Sequence, residues 1–136
     1  MLKIALGVIV GFIVWSVVWI GGVQTLATLL PDSYGAQFAA TQAAFAENRT
    51  PEMLGAQHAL MNLGISILAS FLAGYMGSLL AGEYRRTTMI LGILLVLTGL
   101  LVEIAYWAIA PPWYHILFIL LLYPITVLGG RLRRSV

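Results

Sequence analysis

The chain has 136 residues, of which 61% are hydrophobic and 9% are charged, and its mean hydropathy is +0.98. Soluble domains have about 45–50% apolar and about 25% charged residues, so this composition excludes a water-soluble protein and leaves these residues no room for a soluble catalytic domain. No cysteine occurs, which excludes disulfides, thiolate metal sites and thiol nucleophiles built from this chain.

Four apolar segments are long enough to cross the membrane, since about 30 Å of hydrocarbon takes roughly 20 helical residues. They cover approximately residues 4–30, 51–82, 87–110 and 113–130. The sequence therefore predicts an all-α membrane protein, a four-transmembrane-helix bundle that forms a single integral membrane domain over 1–136.

The second segment carries a signal for a helix start. Thr50 is a good capping residue, Pro51 suits the first helical position, and Glu52 favours the positive end of the helix dipole. We therefore expect this helix to begin at Pro51.

The basic residues predict the orientation of the bundle. With four spans, the amino end, the loop after the second span and the carboxyl tail share one side. That side holds six of the seven basic residues: Lys3, Arg85, Arg86, Arg131, Arg133 and Arg134. The positive-inside rule then places both termini in the cytoplasm, in the inner (plasma) membrane. Because these charges mark membrane ends, we expect lipid, other membrane subunits or a second copy as partners, and no nucleic acid.

The outer loop, residues 31–50, is the largest extramembrane segment. Tyr34, Phe38 and Phe45 recur there at helical spacing. This pattern predicts a short amphipathic helix on the outer membrane surface or over the mouth of the bundle. A partly ordered loop is the alternative.

Small and polar residues mark faces on which helices pack. Residues four apart share a helix face, and the second segment has such a series from His58 to Ser78. Small residues let helix backbones approach closely. The predicted packing residues are Gly7, Gly11, Ser66, Ser70, Gly74 and Ser78.

Glu103 is the one acid well inside a predicted span, roughly 10 Å below the outer end of its helix at 1.5 Å per residue. Gln24 and His58 fall at a similar level on two other spans, and Asn62 lies one turn deeper. An ionisable group at such depth suggests a functional site. We therefore predict an outward-facing polar pocket with a Glu103–His58 pair that binds a proton or a small polar or cationic ligand. The alternative is a buried Glu103 that hydrogen-bonds its neighbours, or one that reaches the outer interface.

His115 starts the fourth segment beside Trp113 and Tyr114, which favours a role as an interfacial anchor. His58 and His115 lie near one membrane face, so axial ligation of haem or a pigment is an alternative. One His and one Glu are too few ligands for a typical metal site. The sequence therefore predicts no metal and no cofactor.

Enzyme motifs are absent from the sequence: there is no G-x-S-x-G elbow, P-loop, dinucleotide fingerprint or H-E-x-x-H motif. We accordingly assign no catalytic residues and expect no enzyme activity. The sequence predicts an accessory or structural subunit that packs against a membrane complex or itself. The alternative is a small transporter or ligand-binding membrane protein that uses the pocket around Glu103 and His58.

Overall fold

The apolar segments form four long helices in a computed structural model, which describes residues 1–135 and the side chains of residues 1–133. The elements in chain order are α1 (Leu2–Leu29), α2 (Tyr34–Ala46), α3 (Ala56–Ala81), α4 (Arg85–Ala105), a 3₁₀ turn (Trp107–Ile109) and α5 (Pro112–Ser135). Helices α1, α3, α4 and α5 are each long and apolar enough to cross a membrane. This confirms the predicted all-α architecture with four candidate spans.

The predicted start of α3 at Pro51 is wrong, because the helix begins at Ala56 after a non-helical stretch. The backbone N–H of Leu54 donates to the carbonyl of Ile109, at 2.6 Å, in the turn between α4 and α5. This bond ties residues 51–55 to the neighbouring connection instead of to a helical turn. Thr50 therefore caps no helix.

The connection between α3 and α4 is fixed by a glycine and a carboxylate. Gly82 ends α3 with a φ of 74°, a left-handed conformation that glycine adopts without strain. The Glu83 carboxylate then accepts bonds from the backbone N–H groups of Arg86 and Thr87, at 3.0 and 2.7 Å, in the first turn of α4. Burial raises the pKa of Glu83, but its hydrogen bonds and the positive charge of Arg86 outweigh burial and hold the pKa below its ordinary value.

Helix α3 packs against α1 on one side. The backbones approach closely where a Cβ built at Gly77 would lie 2.7 Å from the carbonyl oxygen of Gly7. One turn further along α1, Gly11 faces α3 and α4. Further along the same interface, the indole N–H of Trp15 donates to the hydroxyl of Ser70, at 3.2 Å. The predicted packing residues Gly7, Gly11 and Ser70 thus lie at this contact.

The opposite side of α3 packs against α5 at even shorter range. A Cβ on Gly74 would overlap the carbonyl oxygen of Thr126, and one on Gly129 would overlap the carbonyl oxygen of Phe71. The remaining predicted packing residues, Ser66 and Ser78, are buried on α3. Helix α3 is accordingly the most buried of the four long helices.

Helix α2 covers the end of the bundle where α1 and α4 finish and where α3 and α5 begin. Tyr34, its first residue, is 3% exposed and stacks on His58 of α3 with ring centroids 4.1 Å apart. At its other end, Phe45 packs edge-on against Tyr106, with centroids 5.2 Å apart. The segment predicted as a helix over the bundle mouth is therefore helical, and it covers this end of the bundle. We call this end the α2 end.

Candidate functional site

A cavity of about 240 Å³ lies beneath α2 at the α2 end of the bundle. The four residues predicted for the polar pocket, Gln24, His58, Asn62 and Glu103, all line it. His58, Asn62 and Glu103 are buried, whereas Gln24 is exposed. The structure thus brings together side chains from three helices that are far apart in the sequence.

His58 and Glu103 reach the cavity from the terminal turns of their helices, whereas Gln24 and Asn62 lie one turn further in. His58 lies in the first turn of α3, and Glu103 lies in the last turn of α4, which ends at Ala105. The sequence predicted a helix that continues to residue 110, with Glu103 well below its end. This predicted depth is wrong, because α4 ends only two residues after Glu103. Glu103 is nevertheless only 3% exposed, because the 3₁₀ turn, α5 and α2 pack around the end of α4.

Glu103 contacts His115, and not His58 as the sequence predicted. Its Oε2 atom meets Nδ1 of His115, while Nε2 of His115 lies 3.2 Å from the carbonyl oxygen of Trp107. The imidazole also stacks on the Trp107 ring, with centroids 4.5 Å apart. His115 is completely buried, so the predicted role as an interfacial anchor is also wrong.

The partners of His115 determine where its protons lie. A carbonyl oxygen only accepts, so Nε2 carries a hydrogen and donates it to Trp107. The contact between Nδ1 and Glu103 then needs one further proton, held either by the imidazole or by the carboxyl group. In both arrangements the pair of side chains shares one proton and has no net charge.

His58 has a different environment from His115. Its ring lies flat on Tyr34, and its buried Nδ1 atom has no hydrogen-bond partner. His58 and Tyr34 also line a second cavity of about 180 Å³, so the stacked pair forms a wall shared by the two cavities. The predicted bond between His58 and Glu103 is therefore replaced by stacking.

Tyr34 fixes α2 to the bundle through a polar contact in the cavity. Its hydroxyl donates to Oδ1 of Asn62, at 2.5 Å. Burial raises the pKa of Tyr34 to about 12, so the phenol keeps its proton and its donor role at neutral pH. Asn62 lies on α3, so this bond links α2 to α3.

The surroundings of the two histidines also bear on haem or pigment binding. Both ring nitrogens of His115 are engaged, by Glu103 and by Trp107, so axial ligation by His115 requires breaking the pair. Across the residues that the structure describes, no group of three His, Asp or Glu side chains lies close enough to hold a metal ion. His58 alone retains an unpartnered nitrogen.

Sequence reasoning did not assign Tyr34 to the polar pocket, and it did not identify His115 as the partner of Glu103. The usable signal for His115 was the twelve-residue separation from Glu103 across Pro111 and Pro112, which is short enough for a hairpin to bring both residues to one level. For Tyr34, the signal was its position as the first aromatic residue of the predicted loop helix.

Comparisons with other proteins give no family for this chain. No protein-family model, curated protein or solved structure matches it. Its function therefore has to be inferred from the cavity and the residues that line it.

Proposed function

We propose that the protein is a small multi-pass membrane protein that binds a proton or a small polar or cationic ligand in the cavity beneath α2. The observation that carries the proposal is the convergence of Gln24, His58, Asn62 and Glu103 on one cavity. Ionisable and polar side chains are costly within membrane segments and usually mark sites of function. Ligand sites are typically concave and largely apolar, with a few polar groups directed inward.

The same proposal includes an orientation. Six basic residues lie at the end of the bundle opposite α2, in the first turn of α1, at the start of α4 and in the last turns of α5. The positive-inside rule therefore directs the α2 end away from the cytoplasm of a plasma membrane. The cavity would then open outward, with both termini inside.

The absence of cysteine allows a clean test of this orientation. Leu2→Cys and Ala40→Cys each place one thiol at an exposed position, at the amino end and on α2. In intact cells, a membrane-impermeant maleimide is expected to label Ala40→Cys alone, and Leu2→Cys only after lysis. Labelling of Leu2→Cys in intact cells, with Ala40→Cys protected, would reverse the orientation.

Ligand binding is testable with the purified protein in mild detergent. Thermal unfolding is measured with increasing concentrations of tetraethylammonium, acetate or acetamide, which represent a cation, an anion and a neutral polar compound. Binding to the native state alone stabilises by about 2.7 kcal/mol at a concentration 100 times the Kd. We expect at least one probe to raise the Tm of the wild type and of the control Thr98→Val, but not of Asn62→Leu. Equal responses of all three proteins would contradict binding in the cavity.

A second proposal, a non-enzymatic accessory or structural subunit, is favoured by the outer face of α1. Only 22% of the most apolar 18-residue stretch of α1 is buried against the rest of the protein. The exposed row on this helix consists of Leu6, Ile9, Ile13, Val17 and Ile20. A neighbouring subunit or a second copy could cover this row in place of lipid.

The mass of the protein in detergent tests this second proposal. A subunit is expected to purify as an oligomer or with a stoichiometric membrane partner, and Ile13→Trp is expected to disrupt the assembly. Leu97→Trp, on an exposed position of α4, is the matched control and should leave the assembly intact. A monomer without a partner, both before and after mild crosslinking in membranes, would exclude the subunit proposal.

A further inference from the structure

The walls of the cavity beneath α2 have the chemistry of a cation site. Aromatic side chains of α1, α2 and α5 and of the residue that follows α4 line it, namely Trp19, Tyr34, Phe38, Tyr114 and Tyr106. The faces of such rings attract cations, most strongly where water is excluded. Within the described residues, Glu103 is the one acid in the lining, and no lysine or arginine lines the cavity. An anion would therefore meet no counter-charge, whereas a cation would meet both a carboxyl group and aromatic rings.

The shared proton of Glu103 and His115 sets a condition on any such cation. Loss of this proton in the empty cavity would leave a buried carboxylate that faces the lone pair of His115 Nδ1, since Nε2 keeps its hydrogen for Trp107. An uncompensated buried charge is strongly unfavourable, so the empty site retains the proton. A cation beside Glu103 supplies the missing positive charge and removes the need for the proton.

We propose that the cavity binds an organic monocation in exchange for the proton that Glu103 and His115 share. This inference rests on the proposed function of the cavity as a ligand site. One cation enters and one proton leaves to water. His115 remains neutral with its hydrogen on Nε2, and Glu103 becomes a carboxylate that faces the cation. The net charge of the buried site is zero in both states, so neither state leaves an unpaired charge.

Other titratable groups face the same cavity and have to be separated from the pair. They are Tyr34 of α2, His58 of α3, Tyr106 directly after α4, and Tyr114 of α5. His115 of α5 does not line the cavity and lies behind Glu103. The residues that line it from α1, such as Trp19 and Gln24, do not titrate. Among these other groups, only histidine ordinarily titrates near neutral pH. His58→Gln is therefore the control that removes the competing proton source.

Calorimetry on the detergent-solubilised full chain measures this exchange. Tetraethylammonium is titrated at one pH in phosphate and in Tris, two buffers with different heats of ionisation. We expect the difference in heat to correspond to one proton released per cation bound. Because a proton leaves on binding, the affinity should rise as the pH rises, by up to tenfold per pH unit while the pair is fully protonated. His58→Gln should behave as the wild type, whereas Glu103→Gln should lose both binding and proton release.

The possible failures are distinguishable from one another. Tetraethylammonium binding with equal heats in both buffers would overturn the exchange but leave the cavity a ligand site, as would Tm shifts with acetate or acetamide alone. Loss of proton release in His58→Gln would overturn the assignment to Glu103 and His115. If none of the three probes binds, the ligand-site proposal itself fails. The two-buffer comparison on the wild type decides the exchange even if Glu103→Gln does not fold.

Discussion

The contact between Glu103 and His115 predicts strong energetic coupling between these two residues. Their side chains are 4% and 0% exposed, so Glu103→Leu leaves an imidazole buried without its partner, and His115→Leu leaves a buried carboxyl group. Each single variant leaves a neutral buried polar group without its partner, which costs about 1–3 kcal/mol, whereas replacing both members by apolar groups of similar shape is close to neutral. His115→Leu and the double variant both remove the donor to the Trp107 carbonyl, so this cost of about 1–3 kcal/mol cancels in the comparison. We therefore expect a coupling free energy of about 2 kcal/mol or more.

A double-mutant cycle measures this coupling from the free energies of unfolding of the wild type, the two single variants and the double variant. Each free energy is obtained in mixed micelles by following circular dichroism as the fraction of denaturing detergent rises. The control is a second cycle with Glu103→Leu and His58→Leu, two residues that line the same cavity without a bond between them. Its coupling should be smaller than that of the first pair, because these two side chains share a cavity but no bond. Additive effects of Glu103 and His115, together with strong coupling of Glu103 and His58, would refute the pairing in the structure.

Three further predictions concern packing, the attachment of α2 and pH. Gly74→Ala places a methyl group against the α5 backbone and should lower the stability of the fold by about 1–3 kcal/mol. Gly64→Ala, whose methyl group would meet no atom within 4 Å, is the control and should be neutral or slightly stabilising. Equal Tm changes in the two variants would contradict this packing. Tyr34→Phe loses the bond to Asn62, so it should cost about 0.5–1.5 kcal/mol and speed hydrogen exchange in α2; unchanged exchange there would argue against this attachment. The pKa of Glu83 is lower in the folded state than in the unfolded state. Its carboxylate therefore contributes its full stabilisation above the unfolded pKa of about 4.3, and this contribution is lost as the pH falls through the folded pKa. Glu83→Gln should thus lose less stability than the wild type between about pH 5 and pH 3, and identical pH profiles would refute the cap.

The sequence predicts the number of spans well because hydropathy over 20 residues depends little on tertiary contacts. It fails at the start of α3, where Pro51 and Thr50 give a helix-start signal of the right local chemistry. The competing interaction is the bond between Leu54 and the backbone of Ile109, which joins residues 55 positions apart and leaves no local pattern.

In the candidate site, too, the sequence identifies the unusual residues but does not determine which of them are in contact. Glu103 and His58 stand out as polar residues among apolar ones, so their common level can be predicted by counting along the helices. The partner of Glu103 cannot be predicted in this way, because counting residues along the helix assumes that α4 continues until Pro111. The 3₁₀ turn shortens α4 and carries His115 back against it, so a residue that seems to mark the interface becomes fully buried.

Nitrogen-15 NMR of the two histidines tests the central claim most directly, namely that His115 holds Glu103 at the wall of a ligand cavity. The chain contains only His58 and His115, so a His58→Gln sample assigns both rings. We predict that Nε2 of His115 stays protonated throughout, and that its Nδ1 resonance moves in Glu103→Gln and on saturation with tetraethylammonium. A His115 spectrum that is identical in the wild type, in Glu103→Gln and in the presence of the cation would contradict the account.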